Sequence, residues 1–361
     1  MIFITGSRLI GSFALQLSQS PDGYAFADPG LSQLAATVWD GLVTDKPEDG
    51  IFGSLVLARS IAAGNGMVEK VVTSGGKTFE YTITYAINTT FHEYGEQDVL
   101  DTNRVNIFTA AQYNQRIHAG TVVYTDLEQL QTEGDNAKIA DYIGEKLENG
   151  KDSSLNDLNS AFFQSSTGTL RVNGLPDLIP VNPLVGVVGG IDPAAWPFWR
   201  SQQASGAKMT TAGDNLRSAW TSVYDQCSRG GAAKEAPTNI ITDRPTFEIF
   251  QAQLVTYERY NKDGGPNGSG ERGANISFDN EALEFKQAHV QYDEMAGVYQ
   301  PTNAYFFRAD FLQFAYLKGG WMKLKGDIDL PTQLGSVNQI ATYGNLCSGN
   351  RRRLGVVSGN T

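Results

Sequence analysis

The chain has 361 residues, a net charge of −11, 41% hydrophobic residues and only 19% charged ones. That acidity excludes a dedicated nucleic-acid binder, which must gather cations to neutralise phosphates, and no run reaches the ~18 apolar residues of a membrane span. Two cysteines, Cys227 and Cys347, form neither a disulfide framework nor a metal spacing, and 39 Gly beside so little charge suggest a surface covered largely by other copies of the chain.

Residues 1–66 alternate short apolar pieces with turn clusters and predict an irregular arm with short helices near 31–39 and 53–63. The N-terminus lacks a basic region and is interrupted by Arg8, Ser12 and Gln16, so no cleaved leader is expected. In "KTFEYTITYAIN", Phe79, Tyr81, Ile83, Tyr85 and Ile87 alternate with polar residues. Period two over ten residues predicts a strand. A second extended run, 104–126, predicts its partner and then a core strand near 117–124. An isolated hairpin is marginal in water, so the apolar row is expected to lie across a neighbouring chain.

Beyond "TEGDN" the period changes. Ile139, Ile143, Leu147, Leu155, Leu158 and Phe162 fall on one helical face, with Asp135 or Asn136 as N-cap. Gly144 and Gly150 each cost roughly 1 kcal/mol against Ala, which makes Gly150 a candidate place for a bend or break. The segment 173–201 is dense in Pro and Gly yet holds two of the chain's five Trp. Its turns come from Pro and Gly, and Trp196, Phe198 and Trp199 are its anchors, each as suited to the chain's own core as to an interface.

An α/β pattern follows. Leu216, Trp220, Val223 and Cys227 mark a helix, and "TNIIT" a buried strand. Asp243 then caps a helix that has Pro245 in its first turn and runs to about Tyr260. Strands are expected at 275–278, 288–292 and 304–309, and the tail reads as two strands about a turn at 348–350. The one dense basic run, Arg351, Arg352 and Arg353, reads as a solvated or ion-paired strand end, with an inner-wall basic cluster as the other possibility.

Chemistry is hard to find. His92-Glu93 meets Glu96 where a zinc-binding helix needs its second His. His118 and His289 also stand alone, which suits surface or hydrogen-bonded roles. "SGGKT" has Val71 where a phosphate loop needs Gly and is followed by a strand pattern. "GSGERG", 268–273, lies in a polar loop without the helix N-terminus its glycines would serve. There is no nucleophile elbow. The pair Asp293-Glu294 reads as solvated. No enzyme and no cofactor are expected.

The order of elements carries a resemblance. "SGGKTFEYTITYAINTTFHEYGEQDVLDT", "GLPDLI…GGIDPAAWPFWR", "TNIITDRPTFEIFQAQL" and "AYFFRADFLQF" resemble, in order and spacing, landmarks of tailed-phage major capsid proteins with the Hong Kong 97 phage capsid fold, over roughly 75–361. The resemblance implies an α+β chain with five parts. They are an N-terminal arm (1–66), an extended β-hairpin loop (67–112), a peripheral domain (113–205) with a spine helix at about 135–163, an axial α/β domain (206–330), and C-terminal strands (331–361) returning to the peripheral domain.

It further implies self-assembly as hexamers and pentamers into an icosahedral shell made in the bacterial cytoplasm, with portal and scaffold or decoration proteins as partners. Packaged double-stranded DNA would be held by weak nonspecific contact, with no membrane involved. Phe79, Tyr81, Ile83, Tyr85 and Ile87 would make inter-subunit contacts. Lys77 sits at the start of the loop, not its tip, so no covalent cross-link is expected. An encapsulin-like compartment would share the fold. An α/β enzyme using the loop 264–273 for a ligand is the reading from another class.

Overall fold

The computed structural model describes residues 55–64, 67–125, 127–128, 136–205, 215–228, 235–261, 283–329 and 334–359. Most of the arm, the cap position Asp135, the expected strand 275–278 and the Gly-rich loop 264–273 lie outside the described residues.

Two sheets and a long helix organise the rest. Helix α1 (Val56–Ala63) leads to β1 (Glu69–Thr73), and the hairpin strands β2 (Thr78–Thr84) and β3 (Phe108–Asn114) pair with each other. β4 (Arg116–Thr125) precedes the spine helix α2 (Asn136–Phe163). Short α3 (Leu175–Leu178) and a 3-10 turn (Pro197–Trp199) punctuate the connector that ends in β5 (Gln202–Ser205). Then come α4 (Asn215–Ser228), β6 (Asn239–Thr242), α5 (Arg244–Asn261), β7 (Glu284–Phe285), β8 (Ala288–Tyr292), α6 (Glu294–Tyr299) and β9 (Ala304–Phe307). The chain closes with β10 (Leu312–Leu317), β11 (Lys323–Asp329), the 14-residue β12 (Gly335–Ser348), a 3-10 turn (Arg351–Arg353) and β13 (Gly355–Ser358).

β12 is the axis of the five-stranded sheet. It pairs antiparallel with β4 along 335–344, with β11 through 336–341 and with β10 through 344–348, and β1 adds in parallel to β10. The second sheet runs β5-β13-β9-β6-β8-β7. Three expected domain limits therefore shift. Residues 69–73 join the five-stranded sheet instead of the loop. β10 and β11 leave the axial unit for that same sheet. β13 completes the six-stranded sheet instead of returning to the peripheral one. Strand pairing is long-range and is settled by which edge is free, which no local pattern encodes.

The spine helix runs unbroken for 28 residues. No break occurs at Gly150, and the glycine serves packing. A Cβ there would lie 2.7 Å from Val122 Cγ2 and 3.2 Å from Ile340 Cδ1, so the bare backbone lets the helix sit close on β4 and β12. Among the described side chains of the apolar face, Leu147, Leu155, Leu158 and Phe162 are all buried. Phe162 meets Phe314 of β10 edge-on at 5.9 Å. A separate cluster holds the six-stranded sheet, where Trp220 of α4 stacks on Phe250 at 4.9 Å and meets Phe285 and Phe306 edge-on.

Asp243 precedes α5 as expected, but its carboxylate also accepts the Thr302 amide at 3.0 Å. The larger surprise is Asp293, read from sequence as solvated and in fact fully buried. It caps α6 by accepting the Met295 amide at 2.9 Å, and it accepts the Val56 amide at 2.9 Å and Asn159 Nδ2 at 3.0 Å. Asn159 Oδ1 in turn accepts the Ala58 amide at 3.1 Å. One carboxylate thus ties α1, the spine helix and α6 together.

Burial pushes the Asp293 carboxyl up to about 6 despite these donors. With its folded value above the unfolded one, the native state binds the proton more readily between pH 4 and 6. This group's contribution is therefore fully present below about 4 and falls as pH rises to about 6, by on the order of 3 kcal/mol. Urea unfolding across pH 4–7 should show wild type losing ground to Asp293→Asn in that window. At pH 7, Asp293→Ala should be destabilised by roughly 3 kcal/mol or more, since it leaves three buried donors unpaired.

Candidate functional site

Among the described residues no catalytic constellation forms. His118 has one ring nitrogen 3.2 Å from the Ser154 carbonyl oxygen and the other 3.5 Å from Asp157 Oδ2, so the ring faces two acceptors of the chain's own. His289 faces Glu284 at 3.6 Å, and His92 lies against the Tyr94 ring at 4.0 Å. Cys227 and Cys347 are buried, and burial pushes both thiols well above their ordinary range. That keeps them protonated and unreactive. Among the described residues no group of three or more His, Cys, Asp or Glu could hold a metal ion. Strand β2 begins at Thr78, directly after Lys77, so no helix N-terminus is there to cradle a phosphate.

The surfaces that stand out are apolar. Register places Phe79 opposite Tyr113, Tyr81 opposite Ala111 and Ile83 opposite Thr109. The face carrying Phe79, Ala111 and Tyr113 is buried against the subunit's own core, with Tyr81 and Ile83 packed beside it. Tyr113 donates its hydroxyl to the Ser348 carbonyl at 2.9 Å, and the Gln112 amide donates to the Gly189 carbonyl at 2.9 Å. These contacts correct the expectation that a neighbour must cover the whole row. β12 and the connector cover the root, which the alternation of polar and apolar residues could not reveal.

Tyr85 belongs with the connector. Its ring lies 5.7 Å from both Trp196 and Phe198, and those two rings are 6.0 Å apart. Trp199 is buried and donates Nε1–H to the Val188 carbonyl at 2.8 Å. Of the three anchors, Trp199 belongs to the core, Phe198 packs beside it, and Trp196 stays 48% exposed. The connector is held by local ties. Asp177 accepts the amides of Ser166 and Gly174 at 2.7 and 2.9 Å. At Gly174 a Cβ would fall 1.9 Å from the Gln164 carbonyl oxygen, so only glycine fits.

Beyond this aromatic joint, 85–107 forms an irregular loop. Ile87 is 83% exposed, Phe91 84%, Val99 91% and Leu100 66%. Only Ile87 of the expected contact row lies in this uncovered part. Phe91, Val99 and Leu100 were not singled out from sequence, because they sit among polar residues without a period. Single exposed apolar side chains are ordinary, whereas several on one projecting loop mark a contact surface.

Two of the three arginines of the run are buried within the subunit. Arg351 is fully buried, donates Nε–H to the Leu178 carbonyl at 2.7 Å, and has no hydrogen-bond partner at either Nη. Burial lowers its pKa to about 10. Arg353 is also buried, donating to the Cys227 carbonyl at 2.9 Å and pairing with Glu235. That ion pair matches the plainer half of the expectation. Arg352 is half-buried. Arg353→Gln should lower stability in urea unfolding of the free subunit by roughly 1–3 kcal/mol, since glutamine cannot span both partners.

No protein-family model matches the sequence, and no curated protein resembles it. The fold, by contrast, is shared with solved capsids. The cyanophage A-1(L) capsid subunit is similar at TM-score 0.55 and 13% identity, over 88% of this chain and 97% of that one. The capsid of a native GTA particle gives 0.53 and 13%, over 96% and 99%. The capsid of Myoviridae phage XM1 gives 0.51 and 10%, over 89% and 97%. The chain has the α+β Hong Kong 97 capsid fold.

Proposed function

We propose that this chain is a major capsid protein, assembling as hexamers and pentamers into an icosahedral shell that encloses phage double-stranded DNA. The reading rests on one observation above all. A chain with no assembled catalytic constellation among its described residues shares, along most of its length, the fold of phage capsid subunits. The exposed apolar loop 85–107 supports it, since such a loop on a neighbouring subunit would bury what the subunit leaves open. Portal and scaffold or decoration proteins would complete the particle, with the virion as its location. Arg351 and Arg353 are buried inside the subunit and so do not bind the packaged DNA; that contact is weak and nonspecific.

Negative-stain microscopy of the purified protein, with an assay for nuclease-protected DNA, tests the proposal. Shells with protected DNA are expected. Shells filled with a protein cargo would favour an encapsulin-like compartment, and a small discrete oligomer would overturn the shell reading.

A further inference from the structure

Arg351 is a buried charge without a counter-charge. It opens the 3-10 turn between β12 and β13, and its side chain is fully buried. Nε–H donates to the Leu178 carbonyl at 2.7 Å, and the guanidinium carbon lies 5.9 Å from the Trp199 ring centroid. Neither Nη has a hydrogen-bond partner, so the four N–H bonds of the guanidinium fork are buried and unspent. Burial lowers the pKa only to about 10, which leaves the group charged at neutral pH.

The chain itself supplies nothing to cancel that charge. Among the described residues no carboxylate pairs with Arg351, and Glu235 is taken by Arg353. The Tyr113 hydroxyl acts on the guanidinium, but it is neutral and already donates to the Ser348 carbonyl at 2.9 Å. A second unspent donor stands three positions earlier. Ser348 ends β12, is fully buried, and its Oγ has no partner either. Buried polar groups are nearly always hydrogen-bonded, and buried charges are paired. Two buried donor groups at one turn, one of them a cation, call for an acceptor from outside the chain.

We propose that the turn 348–351 binds a small monovalent anion of chloride size, held by Arg351 Nη1 and Nη2 and by the Ser348 hydroxyl. Charge sets the valence. One guanidinium cancels one negative charge, whereas a divalent oxyanion would leave a buried excess. Packing sets the size. Leu178, Trp199 and Tyr113 are each at most 3% exposed, so the site is closed to solvent, and close-packed surroundings favour a single-atom ion over a phosphate group. The ion joins the end of β12 to the connector and to the hairpin root at Tyr113. Its role is structural, and the inference stands apart from the shell reading. Ordered water is the competing occupant. It accepts hydrogen bonds from the same N–H groups but leaves the charge uncancelled.

Urea unfolding of the free subunit at pH 7 separates the two, with chloride exchanged for gluconate at constant ionic strength. An ion bound only by the native state lowers the unfolding constant about tenfold for each tenfold rise in chloride above its dissociation constant, and wild type should show that slope within about 3–300 mM. Bromide should act as chloride does, and sulfate should not. Arg353→Gln leaves Arg351 in place and should keep the slope. Ser348→Ala should need several-fold more chloride, and Arg351→Gln should be insensitive to it. Crystals of wild type grown in bromide should show an anomalous peak within hydrogen-bond reach of the Arg351 Nη atoms, a measurement that holds even if Arg351→Gln fails to fold. Equal stability in chloride and gluconate, or no bromide peak at Arg351, would assign the site to water and overturn the proposal. A slope retained in Arg351→Gln would place the ion elsewhere and overturn it too.

Discussion

Leu155→Asp and Phe162→Asp should each abolish recovery of soluble subunit. Both side chains are buried, at 1% and 0% exposure, on the face of the spine helix turned to the five-stranded sheet. Truncating such residues already costs about 2–5 kcal/mol in lost transfer energy and cavity. An aspartate adds the penalty of an unpaired buried charge, several kcal/mol more. The sum is comparable to the ~5–15 kcal/mol stability of a whole domain. Ser153→Asp is the control, because Ser153 lies on the same helix and is exposed; its yield should match wild type. Soluble, assembly-competent Leu155→Asp protein would show that this face is not the one packed on the sheet.

The second large effect divides the hairpin at Tyr85. Tyr81→Ser with Ile83→Ser should destabilise the free subunit by roughly 2–4 kcal/mol, since both side chains pack against its own core and each loses part of an apolar burial worth ~1.5–3 kcal/mol. Phe91→Ser with Val99→Ser and Leu100→Ser should leave the melting of the subunit unchanged, because all three side chains are exposed. Shell formation should nevertheless fail or weaken sharply. Hydrogen exchange adds an independent measure. Amides of β2 and β3 should be protected in the free subunit, whereas those of 86–106 should gain protection only in particles. A tip variant that assembles normally would remove the loop from the contact surface, and a root variant with unchanged melting would return the strands to a neighbour.

Periodic elements were legible in the residues themselves. The alternation from Phe79 to Ile83 became β2, the three- and four-residue spacing from Leu147 to Phe162 became the spine helix, and Leu216, Trp220, Val223 and Cys227 became the buried stripe of α4. Local sterics and the need to bury one face make such patterns self-announcing. The resemblance of ordered landmarks also led to the fold. What the alternation could not say was which surface covers the row, and it is the chain's own Ser348, Gly189 and Trp196 that do so at the root.

Tertiary structure alone decided the fate of charged groups. Nothing adjacent to Arg351, Arg353 or Asp293 distinguishes a buried side chain from a solvated one. Their partners, Leu178, Glu235 and Asn159, lie 118 to 173 positions away. Strand partners followed the same rule: β12 and β13, the two strands of the tail, enter different sheets. Periodicity depends on neighbours a few residues apart and is written in the sequence. Burial of a charge and choice of a sheet edge depend on contacts across the whole chain, and those exist only once it has folded.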